Sequence, residues 1–231
     1  MSSAPKPVWT LVGTSTFDAA LICLGSLREF CRDSFELHIL SDGTLTPEQK
    51  NESTRLPGTH VANDDGLREK VEAQLAGFPV LAETYRRNVY LKKLVDIPIV
   101  AGPACCFIDS DILFFRPVSG LFETTRSHDR IAEDRSVTPG LRDLLSFRGR
   151  LHGYLICGFM DGTFPSLADA ERTLGRWRDT KNNVVEQLIW AVAKSRQSLE
   201  YLTLDSIHIP RPSEPIHAFR PSPAHFGLHL T

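Results

Sequence analysis

Val8 to Gly13 is a short, mostly apolar run that stops at a glycine. Ser15-Thr16-Phe17-Asp18 follows with the Ser-x-x-Asp spacing of a capping box, so the chain is expected to open as strand, turn and helix. Phe17, Leu21, Leu24 and Cys31 then recur at helical spacing, which leaves Arg28 and Glu29 for solvent. The period changes at Phe35, where Phe35, Leu37 and Ile39 alternate with Glu36 and His38 before Ser41-Asp42-Gly43, the pattern of a second strand ending in a turn. Thr46-Pro47-Glu48-Gln49 starts another helix, a short strand is expected around His60 to Ala62, and Leu67, Val71 and Leu75 mark a helix closed by Gly77 and Pro79. One further helix is expected from about Ala82 to Val95.

Ala104 to Ile108 is a continuous apolar run, the signature of a strand buried on both faces, and Ile112 to Phe115 resumes the apolar pattern beyond two aspartates. Arg130 to Ala132 and Tyr154 to Met160 read as strands, Ser166-Leu167-Ala168-Asp169 caps a helix to about Arg178, and another helix spans about Val184 to Ser195. From Pro210 the chain is proline-rich and reads as a loop-like tail or a wrapping segment. Strands alternating with helices predict an α/β fold with a largely parallel sheet covered on both faces. Ligands of such sheets bind at the carboxyl ends of the strands, a rim that would carry Gly13 to Thr16, Asp42, Asp109 to Asp111 and Gly158.

Composition narrows this further. The chain has 231 residues, 42% of them hydrophobic and 23% charged, which suits one globular domain over residues 1–231 and no disordered or fibrous class. A net charge of -2 without a basic cluster argues against a nucleic-acid partner. No apolar run approaches the roughly 18 residues that span a bilayer, and Met1 to Pro7 lacks a secretion signal's apolar stretch, so a cytoplasmic location is expected. Five cysteines with no C-x-x-C pair read as buried reduced thiols.

The chemistry concentrates at Phe107-Ile108-Asp109-Ser110-Asp111-Ile112, where two carboxylates end a strand of large apolar groups. Half-buried carboxylates repel each other and lose hydration, and a hard cation such as Mg²⁺ or Mn²⁺ is the natural compensation, bringing a nucleotide's phosphates with it. The opening strand and helix, Ser41-Asp42, this D-x-D, Gly158-Phe159-Met160, Glu186-Gln187 and the closing His225-Phe226-Gly227, in that order, resemble the GT-A glycosyltransferases, specifically the family-8-like enzymes that use nucleotide-diphosphate sugars.

That resemblance implies a three-layer GT-A-like sandwich and transfer of a sugar, with retention, from a UDP-hexose or similar donor to a hydroxyl acceptor. It implies that Asp109, Ser110 and Asp111 hold the metal and the diphosphate, with His225 or its competitor His217 completing the metal shell. Lys93, in Tyr90-Leu91-Lys92-Lys93-Leu94, would neutralise diphosphate charge. Gly158 would form the wall under the sugar, Gln187 would stabilise an oxocarbenium-like transition state and Glu186 would orient the acceptor. Gly13, Thr14, Ser15 and Asp42 would contact the nucleoside. The family's pattern continues after its histidine with a lysine and an aromatic, whereas here Leu228-His229-Leu230-Thr231 follow. A catalytically silent nucleotide-sugar binder therefore stands as an alternative, and a haloacid-dehalogenase-like phosphatase, whose nucleophile also lies in D-x-D, as a further one.

Overall fold

The computed structural model describes residues 4–122, 129–132, 158–177, 185–195, 199–202, 207–208 and 227–229, the last three stretches mainly through their backbone. Strand β1 (Lys6–Val12) leads through a single 3-10 turn into α1 (Phe17–Phe30), and β2 (Phe35–Ser41) into α2 (Pro47–Ser53). Then come β3 (Thr59–Val61), α3 (Leu67–Leu75), α4 (Pro79–Arg87), α5 (Leu91–Ala101), β4 (Ala104–Ile108) and β5 (Ile112–Phe114). The remaining described elements are β6 (Asp129–Ala132), β7 (Phe159–Thr163), α6 (Leu167–Arg176), α7 (Val185–Lys194), β8 (Leu199–Leu202), β9 (Ile207–His208) and β10 (Gly227–His229).

Seven strands form one sheet in the order β3-β2-β1-β4-β7-β6-β8. β3, β2, β1 and β4 run parallel, with Val12 opposite Ser41 and Trp9 opposite Phe107, while β7 is antiparallel to both β4 and β6. Alternation sorts the side chains onto two faces. Val8, Val12, Leu37, Ile39, Cys106 and Ile108 enter the core under α1, and Trp9, Leu40 and Phe107 enter the core under α3 to α7. The carboxyl ends of β1, β2 and β4 therefore share one rim, as the sequence pattern predicts for this α/β fold.

Several local expectations change. The segment 82–95 is not one helix: α4 ends at Arg87, Asn88 is extended (φ -131°, ψ 103°), and α5 restarts at Leu91 and continues to Ala101. The buried Asn88 side chain accepts the Tyr90 N–H at 3.0 Å, which makes a turn cheaper than helix continuation there. Glu171 of α6 accepts the Val80 and Leu81 N–H groups at 3.2 and 2.7 Å, so α4 has its own capped start. The Ser-x-x-Asp cap of α1 is absent: Thr16 is the N-cap and makes no side-chain cap bond. By contrast, Thr46 and Gln49 form a complete capping box at α2, and Ser166 caps α6. Part of the supposed tail is strand, since β10 pairs antiparallel with β5 and parallel with β9 in a second, three-stranded sheet. Of the cysteines among the described residues, Cys23, Cys31 and Cys106 are buried thiols and Cys105 is half-buried. Burial pushes the Cys31 and Cys105 thiols up to about 12, which keeps them unreactive. No helix among the described residues is long and apolar enough to cross a membrane.

Candidate active site

Two loci on the carboxyl rim gather most of the residues singled out from the sequence. The first lies where α5, β4 and α7 converge. Lys93 on α5 donates to Asp109 Oδ1 at 3.1 Å and pairs with Glu186 Oε2 at 3.1 Å, while its Nζ sits 5.5 Å from the Phe107 ring centroid. The other oxygen of Glu186 accepts Trp190 Nε1–H at 2.8 Å, one helical turn along α7. Side-chain exposure falls from 17% at Asp109 to 12% at Lys93 and 5% at Glu186, so the cluster runs from the rim into the core.

Why these three meet follows from their elements. Asp109 is the first residue past the buried end of β4, Cys106 to Ile108, and its N–H donates to the carbonyl of Gly158 at 2.8 Å. Gly158 has φ 93°, a left-handed conformation that glycine adopts freely. α7 is anchored at its far end by buried Lys194, which pairs with Asp129 and the Thr163 carbonyl. α5 is fixed by Leu91, Leu94, Val95 and Ile97, all buried.

The cluster carries two carboxylates against one ammonium. Burial alone would lower Lys93, but Asp109 and Glu186 together outweigh it and hold its ammonium above the ordinary lysine value. Burial raises Glu186, and the nearby Asp109 charge adds to that rise against the pull of Lys93. The deeper carboxyl, Glu186, is the one so raised. Glu186, with both oxygens held inside the protein, is placed to brace Lys93 and Asp109. Trp190 was missed, although its i,i+4 spacing from Glu186 on an amphipathic helix was the available signal.

The second locus joins the ends of β1 and β2. The Asp42 carboxylate accepts from Thr44 N at 2.9 Å and Thr44 Oγ1 at 2.6 Å, and the same Oγ1 accepts Thr14 N–H at 2.8 Å. A Cβ at Gly13 would overlap the Asp42 carboxylate, so the absence of a side chain is what allows this approach. Ser15 lies exposed in the 3-10 turn. Ser110 Oγ donates to the Leu11 carbonyl at 3.2 Å, tying the D-x-D turn to β1.

Asp111 is half-exposed with its Oδ1 atom buried, and Gln187 is half-exposed with its Oε1 buried. Asp109 and Asp111 form a hard-oxygen donor set at the rim, which suits Mg²⁺ or Mn²⁺ shared with phosphate oxygens. Among the described residues, no group of three or more His, Cys, Asp or Glu side chains is placed to hold a metal ion. His225 and His217 both lie outside the described residues. The backbone register of β10 on β5 sets another histidine position, His229, opposite Ile112, the residue after Asp111.

No family model matches the chain. No curated protein matches it either. Solved structures do. The chain is similar to the apo structure of WbbM, a bifunctional glycosyltransferase, with TM-score 0.59 and 14% identity over 100% of this chain and 46% of that one. It thus spans about half the length of that protein. It is similar also to the galactosyltransferase LgtC in complex with donor and acceptor sugar analogs (TM-score 0.60, 14% identity, 96% of this chain and 86% of that one). An active-site mutant of LgtC matches as well, with TM-score 0.58 and 13% identity over the same shares. The fold is GT-A-like, as the order of motifs implied.

Proposed function

We propose that the chain is a metal-dependent glycosyltransferase that moves a hexose from a nucleotide-diphosphate donor, UDP-hexose first among them, to a hydroxyl acceptor with retention. The observation that carries the reading is the convergence of Lys93, Asp109 and Glu186 at the carboxyl rim of a GT-A-like sheet. The Gly13, Thr14 and Asp42 locus lies on that same rim, at the ends of β1, which neighbours β4, and of β2, the next strand out. A structural role alone does not call for a cation held between two carboxylates on three elements at the place where such sheets bind ligands.

In this reading Gly13, Thr14, Ser15 and Asp42 hold the nucleoside, and Asp109, Ser110 and Asp111 meet the diphosphate. Asp109 and Asp111 would hold Mn²⁺ or Mg²⁺, which when bound supplies charge for the leaving diphosphate. An imidazole of the C-terminal segment would complete the shell: His225 by motif, His217 as its competitor, His229 by register. Lys93 places a fixed positive charge beside the same oxygens, preorganised by Glu186 and, through it, Trp190. Gln187 would present its carbonyl oxygen to the sugar, and Gly158 would let the backbone approach it.

Calorimetric titration of UDP with and without Mn²⁺ tests the reading. UDP should bind tightly only with the metal, and Asp109→Asn and Asp111→Asn should each weaken it more than tenfold. Equal UDP affinity with and without Mn²⁺, or equal affinity in both variants, would remove it.

A further inference from the structure

A cleft of about 850 Å³ opens between α3, α4 and α5, beside the end of β2, and the transfer reading makes no use of it. Its volume lies in the range of small-molecule sites. Leu67, Val71, Leu75 and Ala82 give it an apolar wall, and its inner end is closed by Tyr85, Lys92 and Asp96. That inner end is satisfied internally: Tyr85 O–H donates to Asp96 Oδ1 at 2.7 Å, and Lys92 pairs with Asp96 Oδ2 at 3.6 Å. Asp96 is 3% exposed, so it offers a ligand almost nothing.

The remaining lining charges are paired as well, with one exception. Asp64 is held by Lys50 at 2.9 Å, and Glu72 by Arg68 at 3.0 Å within α3. Arg86, in the last turn of α4, lines the same cleft and enters no ion pair among the described residues. Its neighbour Arg87 is the one that pairs along the helix, with Glu83 at 3.1 Å. The lining carries three cations, Arg68, Arg86 and Lys92, and three carboxylates, Asp64, Glu72 and Asp96; because Lys50 holds Asp64 from outside the lining, the cation left without an ion pair among the described residues is the exposed Arg86 guanidinium. An apolar wall with one uncompensated guanidinium fits a ligand with an apolar body and one acidic group, since a charge-assisted bond to Arg fixes the acid while the body leaves water.

We propose that this cleft is a second binding site, adjoining the nucleoside locus at the end of β2 but not part of it, for an apolar-bodied monoanion, with Arg86 as the residue that recognises its acidic group. Ser41 and Gly43, which flank Asp42, line the cleft, whereas Asp42, Lys93 and Asp109 do not, so the two sites are neighbours that competition can tell apart.

The test uses 8-anilinonaphthalene-1-sulfonate as the charged probe and N-phenyl-1-naphthylamine as its uncharged counterpart, followed by fluorescence on the full chain. The sulfonate should bind at one saturable site and be displaced by octanoate better than by octanol. Arg86→Gln should weaken sulfonate and octanoate binding roughly tenfold or more, the size expected for one hydrogen bond to a charged group, and leave the uncharged probe unchanged. Ala82→Trp, which fills the cleft from α4, should abolish both probes, its folding checked by an unchanged melting temperature. Equal sulfonate affinity in Arg86→Gln, or probe binding at many equivalent sites, would overturn the proposal. Competitive displacement by UDP with Mn²⁺ would overturn the separateness of the site, while UDP binding measured directly reports on the transferase reading by itself.

Discussion

Replacing Lys93 by methionine removes the charge at the centre of the cluster on the carboxyl rim while keeping its length and most of its packing. Asp109 and Glu186, each 3.1 Å from the ammonium, are then left facing each other, Glu186 with 5% exposure. Breaking a buried pair by deleting one partner costs about 3–5 kcal/mol, because an uncompensated charge stays behind. Asp109 keeps some contact with solvent, so the lower half of that range is expected at pH 7. The variant has an escape that sets it apart from simple packing loss. Glu186 is already raised by burial and by Asp109, and losing Lys93 raises it further, so in the folded variant it takes up a proton that the unfolded chain has released. A carboxyl raised above its ordinary value of 4.5 stabilises the fold as pH falls toward that value and loses the contribution as pH rises through the folded one. The deficit against wild type should therefore shrink by about 1–2 kcal/mol between pH 7 and pH 5, given 1.36 kcal/mol per pH unit for one proton. Urea unfolding followed by tryptophan fluorescence at both pH values measures it. Lys93→Met/Glu186→Gln should recover more than half of the loss at pH 7. An identical deficit at both pH values, together with a double variant no better than the single one, would refute the electrostatic account of this cluster.

Gly13→Ala forces the Asp42 carboxylate aside, so it should weaken UDP binding at least several-fold by calorimetry while lowering the melting temperature little. Glu171→Ala strips the capping carboxylate from α4 and should cost about 1–2 kcal/mol by urea unfolding, with Glu171→Gln intermediate. His38 stacks on Trp9 at 4.7 Å and on His60 at 5.2 Å, and burial, then the His60 charge, lower it against the pull of Glu36. Its neutral form is favoured in the fold, so stability present above pH 6.5 should be lost as pH falls below it, and His38→Gln should flatten that limb of a stability-against-pH curve.

The parallel core of the sheet was legible because Val8 to Val12, Phe35 to Ile39 and Cys106 to Ile108 are buried on one or both faces, and burial leaves a trace in the sequence. The rim was legible for the same reason: once strand ends are known, Gly13, Asp42 and Asp109 must share an edge. What was not legible depends on tertiary partners. Nothing local announces that Glu171, on another helix, caps α4, nor that the buried Asn88 turns the chain between α4 and α5. That Glu186 pairs with Lys93 and accepts from Trp190 depends on α5 packing against α7, which no local pattern around Glu186 announces. The pairing of β10 with β5 was invisible because Gly227 to His229 is too short a strand to carry a period.

The central claim, that the Lys93, Asp109 and Glu186 cluster serves transfer from a nucleotide sugar, is tested most directly by release of the nucleoside diphosphate. A panel of UDP- and GDP-sugars would be incubated with the protein and Mn²⁺ without acceptor, and the diphosphate quantified by chromatography for wild type, Asp109→Asn and Lys93→Met. The account predicts metal-dependent release from at least one donor, lost in Asp109→Asn and reduced at least a hundredfold in Lys93→Met at a pH where both variants are folded. Release from no donor, or release unchanged in Asp109→Asn, would contradict it.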